Sequence, residues 1–147
     1  MKTCESVMTK NPVCCLLSDT VESVAQLMKR ENIGSVPVIE SEHSRKLIGI
    51  VTDRDLALKV VAEGCDAKTT KVEEVMTRQV VTCHSGDDLQ KALDAMSGHQ
   101  LRRIPIVNKE NEILGIIAQA DIATRVNQPE KTAEVVKDIS QENSDSK

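Results

Sequence analysis

The 147-residue sequence contains no phenylalanine, tyrosine or tryptophan. Its core therefore has to be built from Val, Ile, Leu, Met and Ala, and the β-branched share of these favours strands. Stacking of aromatic side chains on nucleic-acid bases is excluded. A large charge excess is missing too. With 19 basic and 23 acidic residues the formal net charge is −4, which argues against a general binder of nucleic acid or of an anionic membrane. No apolar run reaches the roughly 20 residues of a spanning helix. The opening MKTCESVMTK has no apolar region of the secretory kind. These absences predict a cytoplasmic protein without membrane or nucleic-acid partners.

Catalytic signatures are lacking as well. There is no Gly-rich phosphate loop, zinc-protease helix motif or nucleophile elbow. The three histidines, His43, His84 and His99, sit in no recognisable catalytic motif, so the chain is expected not to be an enzyme. The five cysteines are Cys4, Cys14, Cys15, Cys65 and Cys83, with no C-x-x-C among them. Cys14 and Cys15 are adjacent, so in a strand they point to opposite faces. Cys15, Cys83 and His84 lack metal-ligand spacing. Reduced cysteine used as a small apolar residue is the expected role, and no metal site is predicted.

What is present is a repeat. VMTKNPVCC (Val7 to Cys15) resembles VMTRQVVTC (Val75 to Cys83) at an offset of 68, and VPVI (Val36 to Ile39) matches IPIV (Ile104 to Val107) at the same offset. GIVTDRD (Gly49 to Asp55) and GIIAQAD (Gly115 to Asp121) are 66 apart. Two residues are thus lost between them, in polar loop sequence that tolerates indels.

Each repeat reads the same way. A short β-branched run opens it, VCCLL or VVTC. An amphipathic helix follows, with Val21, Val24, Ala25 and Met28 on one face, and Leu89, Ala92, Leu93 and Met96 on its copy. Asp19 with Glu22, and Asp87 with Gln90, resemble capping boxes, and Asn32 and Gly98 lie near the helix ends. Two strands come next, VPVIE and KLIGIVT, then RIPIVN and EILGIIA. Pro37 and Pro105 suit a strand start or edge. A second helix begins at each aspartate phrase.

One such β-α-β-β-α unit of about 60 residues is marginal alone. The predicted fold is α/β (α+β), two repeats packed sheet to sheet with pseudo-twofold symmetry. The expected division is a first domain over 7–66, a second over 75–129, and a C-terminal helix or disordered tail over 130–147.

The VMT opening, the VPV strand and the GIVTDRD phrase, repeated in tandem, resemble a pair of CBS domains, named after cystathionine β-synthase. The likeness runs from about Val7 to Val126, with no catalytic domain attached. It implies a stand-alone regulatory module binding adenosine-containing ligands (AMP, ADP or ATP) in clefts between the repeats, with no further cofactor. In that family the glycine–apolar–apolar–Thr/Ser–x–x–Asp phrase contacts the ribose. The matching residues are Thr52 and Asp55 in the first repeat and Asp121 in the second. The opening segments line the base pocket, here Thr9, Asn11 and Val13, and Thr77 and Val81. Basic residues before the P-V strand meet phosphates, here Arg102 and Arg103, where the first repeat has Gly34 and Ser35. The resemblance also implies a homodimer acting on an unidentified regulated protein.

Elementary chemistry fits these roles. A fixed carboxylate accepts from two adjacent ribose hydroxyls, and a guanidinium makes forked contacts to phosphate. Each role has a plainer counterpart. T-x-x-D before an apolar run is also a helix cap, although Ala118 cannot cap and Asp121 is still there. Arg102 and Arg103 also fit solvated charges at a strand entrance. Adjacent strand residues face opposite ways, which favours Arg103 for the cleft and leaves Arg102 for a neighbouring site. His99 fits a helix end as well as an anion patch, His43 lies in a polar turn, and Arg54 is a further candidate for phosphate. Because Ala118 lacks the Thr52 hydroxyl, the Asp55 site is expected to be the better ribose binder. The alternative function is a protein-interaction module with degenerate ligand sites, motivated by Ala118, Gly34 and Ser35.

Overall fold

The structure, a computed structural model, describes residues 2–125, with side chains described to residue 122. In chain order the elements are helix α1 (Cys4–Val7), strands β1 (Thr9–Lys10) and β2 (Cys15–Leu16), helix α2 (Val21–Glu31), strands β3 (Ser35–Ile39) and β4 (Leu47–Thr52), and helix α3 (Asp53–Leu56), which widens into a π-helical turn over Ala57–Val61. Helix α4 (Val72–Val75), strand β5 (Cys83–His84), helix α5 (Leu89–His99), strands β6 (Arg103–Val107) and β7 (Ile113–Ala118) and helix α6 (Gln119–Arg125) follow. This is the mixed α+β composition that the sequence predicts. The tail predicted for 130–147 lies outside the described residues.

The chain forms two compact units, and they do not coincide with the repeats. A central unit runs from Val13 to Val80; a split unit joins residues up to Pro12 to those from Val81 onward. Each VMT opening therefore belongs to the same unit as the aspartate phrase of the other repeat. In the split unit β1 pairs antiparallel with β7, Thr9 opposite Ile116, giving the strand order β1-β7-β6-β5. In the central unit the order is β2-β3-β4, and Thr77 bridges to Ile50 at the edge of β4. Sequence periodicity gave no element for either opening, because two paired residues are too few to show alternation.

Both prolines stand in middle strands, contrary to the edge expected from their missing N–H. The reason is register. Ile50 N–H donates to Thr77 O (2.9 Å) and Thr77 N–H to Ile50 O (2.8 Å). Ile50 thus turns both polar groups away from its β3 partner Pro37. Pro37 nitrogen then points to the β2 side, where β2 reaches only Val38 and Ile39. Pro105, opposite Ile116, has the equivalent place.

The helix caps also shift by one residue from the predicted ones. Thr20 caps α2, accepting from Ser23 N–H, and Asp88 caps α5, accepting from Gln90 N–H. The aspartates one residue earlier are used in the preceding turns. Asp19 accepts from Leu16 N–H and Asp87 from His84 N–H, each at 2.8 Å. That bond is the main reason the Asp87 carboxyl titrates below its ordinary value. At the other end Asn32 and Gln100 hold the left-handed C-cap, with φ of 55° and 54°. Gly98 instead lies inside α5.

Each unit closes its own aliphatic core. Val21, Val24, Val36, Val38, Val51, Val72 and Met76 fill the central unit, and Leu89, Leu93, Met96, Ile104, Ile106, Ile117 and Ile122 fill the split unit. The predicted faces of α2 and α5 supply most of the helical contribution, apart from the exposed Ala25. Cys15 belongs to one core, and Cys4 and Cys83 to the other.

Burial pushes the Cys4 and Cys15 thiols up to about 12, with neighbouring thiol and acidic groups adding to it. In the unfolded chain these thiols ionise near 9. Their contribution to stability is therefore complete below about pH 9 and is lost as pH rises toward 12. We expect the melting temperature to fall steeply above about pH 9, and the slope to flatten in Cys4→Ala and Cys15→Ala. At neutral pH, iodoacetamide should label exposed Cys65 well before either buried thiol, as read by mass spectrometry.

Candidate functional site

The two aspartate phrases build closely related constellations, one in each unit. In the central unit β4 ends at Thr52 and the chain turns into α3. The Thr52 hydroxyl accepts from Asp55 N–H and the Asp55 carboxylate accepts from Thr52 N–H, both at 3.0 Å. This is a complete capping box. The sequence left capping and ligand contact open for these residues, and the cap is present. Asp55 is the one buried charged residue among the described residues, 7% exposed.

Two more donors meet that carboxylate. Thr77 Oγ1 lies 3.3 Å from both oxygens. Lys59 Nζ lies 3.0 Å from Oδ1 and also donates to Val75 O at 2.9 Å. Lys59 was not singled out from the sequence, although its i, i+4 spacing from Asp55 is readable there. Thr77 was singled out for a base pocket; its hydroxyl is here tied to Asp55.

In the split unit Asp121 accepts from Ala118 N–H (3.0 Å), and Thr9 Oγ1 lies 3.3 Å from both of its oxygens. The carboxylate is held without a hydroxyl at residue 118. The Thr52 hydroxyl serves the Asp55 amide, so its loss at Ala118 removes a cap and leaves the acid in place.

The glycine that starts each phrase is required by close approach. A Cβ at Gly49 would lie 2.8 Å from Met76 Sδ and 3.0 Å from Thr77 O; at Gly115 it would lie 2.6 Å from Met8 Sδ and 2.7 Å from Thr9 O. Glycine thus lets the VMT segment lie flat on the strand and bring its threonine to the aspartate.

The remaining candidates sort by unit. Val13 is in the central unit and 38% exposed. Asn11, with φ of 52°, donates its N–H to Leu114 O (3.3 Å), and Val81 packs on the split-unit core. Arg103 opens β6 opposite Ala118, and the carbonyl of exposed Arg102 accepts from Gln119 N–H (2.9 Å). Both arginines thus stand beside the start of the Asp121 phrase. Among the described residues neither guanidinium forms an ion pair. In the central unit Ser35 pairs with Thr52, and Gly34 O accepts from Asp53 N–H (2.8 Å). His99 ends α5 and is exposed, and His43 is exposed in the β3–β4 turn. No group of three metal-ligating side chains occurs among the described residues.

The CBS domain profile matches residues 4–62 and 72–127. The chain belongs to the CBS-domain family. CBS domain-containing protein YhcV of Bacillus subtilis is 35% identical over 143 residues, covering 97% of this chain and 99% of the relative. The structure of hypoxic response protein I with two coordinated zinc ions superposes with a TM-score of 0.76 at 29% identity, covering 85% of this chain and 99% of that one. The CBS domain pair of protein MJ0100, in complex with 5'-methylthioadenosine and S-adenosyl-L-methionine, gives a TM-score of 0.71 at 27% identity, covering 84% and 94%. Asp55 falls in the first matched segment and Asp121 in the second.

Proposed function

We propose that this CBS pair is a non-enzymatic regulatory module that binds adenosine-containing ligands, with the Asp55 and Asp121 carboxylates accepting from ribose hydroxyls. The carrying observation is the pair of carboxylates itself. Each is fixed by a backbone N–H at a strand end and approached by a threonine hydroxyl from the opening of the other repeat. A ribose diol needs such a pre-set acceptor. The MJ0100 CBS pair, bound to two adenosine compounds, supports the ligand class. Thr9, Asn11, Val13, Thr77 and Val81 would line the base, and Arg102 and Arg103 would meet phosphate.

A carboxylate has about four acceptor positions. At Asp55 the Thr52 amide, Thr77 and Lys59 already use three of them. A two-donor diol must displace one, and the half-exposed Lys59 ammonium on its flexible stem is the partner that yields. Ligand occupancy then shifts the module toward the arrangement it binds better, by no more than its differential affinity. The reading includes a homodimer and a regulated partner protein on family resemblance alone, and a cytoplasmic location on the sequence's lack of a secretory or spanning segment.

The three partners already on the Asp55 carboxylate favour a second reading, a protein-interaction module in which this cluster is purely structural. Calorimetry with AMP, ADP, ATP, S-adenosylmethionine and NAD separates the two. Binding of an adenosine compound that weakens at least tenfold in Asp55→Ala or Asp121→Ala is expected. Silence from all five on folded wild-type protein would overturn the proposal and leave the interaction module.

A further inference from the structure

The two units differ in charge at a matched place beside the aspartate phrases. In the central unit Gly34 lies against Asp53, whose Oδ2 would sit 2.9 Å from a Cβ at residue 34. The same Asp53 takes Arg54 N–H on its other oxygen (2.8 Å). A larger residue at 34 would thus push the exposed Asp53 carboxylate out of its present place. In the split unit the corresponding residues are Arg102 and Gln119, joined by the same backbone bond. The bulky cation is present and the acid is gone. One position further, Ser35 opposite Thr52 is replaced by Arg103 opposite Ala118.

The charges sort accordingly. Around the central phrase Asp53 stands beside Arg54, and Asp55 is ion-paired with Lys59, so the place is close to neutral and carries the exposed Asp53 carboxylate against Gly34. Around the split phrase two guanidinium groups accompany Asp121, and Gln119 and Ala120 bring no charge. Guanidinium forks suit phosphate oxygens, whereas a carboxylate a few ångströms away opposes them.

We propose that the two units select adenosine ligands by charge: the split unit, with Asp121, Arg102 and Arg103, takes 5'-phosphorylated adenosine, and the central unit, with Asp53 beside Gly34, takes adenosine compounds that carry no phosphate. This rests on the ribose roles of Asp55 and Asp121. It makes Arg102, Arg103 and Asp53 the residues that set specificity. It also lets one chain hold two chemically different ligands at once.

The probes are AMP and adenosine, which differ only in the phosphate. Each is titrated by calorimetry into the wild type, Asp53→Gln, and the double variant Arg102→Gly/Arg103→Ser, with thermal melts confirming that each is folded. The double variant is expected to lose AMP affinity by on the order of 10- to 100-fold while adenosine changes less than about threefold. Asp53→Gln is expected to strengthen AMP binding at the central unit about tenfold, an effect removed by adding Asp55→Ala. Equal losses for AMP and adenosine in the arginine variant, or AMP held as tightly without the arginines, would overturn charge selection and leave adenosine binding standing. If neither compound binds folded wild-type protein, the adenosine reading itself falls, and charge selection with it.

Discussion

Asp55→Ala is expected to lower stability by about 2–3 kcal/mol, since it removes the carboxylate half of a capping box and the charge-assisted hydrogen bonds that three donors make to a buried acceptor. For a chain of this size that is a fall of about 5–10 °C in melting temperature. Three donors lose their acceptor at once: Thr52 N–H, Thr77 hydroxyl and Lys59 ammonium. The loss should be well above that of Lys59→Met, which breaks a half-exposed ion pair worth about 1 kcal/mol or less. Asp55→Asn separates shape from charge, because it keeps one oxygen for the Thr52 amide and should recover part of the difference. Urea melts of the three variants test the order Asp55→Ala, Asp55→Asn, Lys59→Met. An Asp55→Ala loss under about 0.5 kcal/mol would show that the carboxylate does not hold the opening segment of the second repeat.

Gly115→Ala is expected to cost about 2–3 kcal/mol, at the upper end of overpacking effects. The added methyl meets Met8 Sδ at 2.6 Å and Thr9 O at 2.7 Å. A thioether can move aside; the backbone oxygen is fixed by β1 pairing. Gly49→Ala should cost less, since its nearest backbone oxygen is at 3.0 Å. Combining Gly115→Ala with Met8→Ala should recover only the sulfur's share, and a double-mutant cycle measures that share. A fully additive cycle would mean that the methyl and the Met8 side chain never meet.

Much of the fold was legible because the chain states it twice. Val21, Val24 and Met28 recur as Leu89, Ala92–Leu93 and Met96, and the cores use both sets. The β3–β4 connection differs in length between repeats, as the offset change from 68 to 66 required. Other features were not legible, for physical reasons. The order Asp19-Thr20 carries two side chains able to cap, and only the three-dimensional turn shows which one does. The partners of Asp55 and Asp121 come from Thr77 and Thr9, 22 and 112 residues away, beyond any periodicity. The repeated VMT showed that the segment matters without showing which phrase it touches. The fit of Asp53 against Gly34 needed coordinates.

The division of the chain at Pro12 and Val81 has a consequence for biosynthesis. The central unit is one continuous stretch, and all of it has left the ribosome once Val80 and the tunnel length behind it are translated. Residues 2–12 emerge earlier still, yet the strand that β1 pairs with, β7, is made roughly a hundred residues later. That segment is thus made before the central unit and paired only after it. Until then Val7 and Met8 are apolar side chains without a core, open to holdase chaperones and to proteases. The pairing of β1 with β7 spans the whole central unit in sequence, so it closes only after that unit has been made.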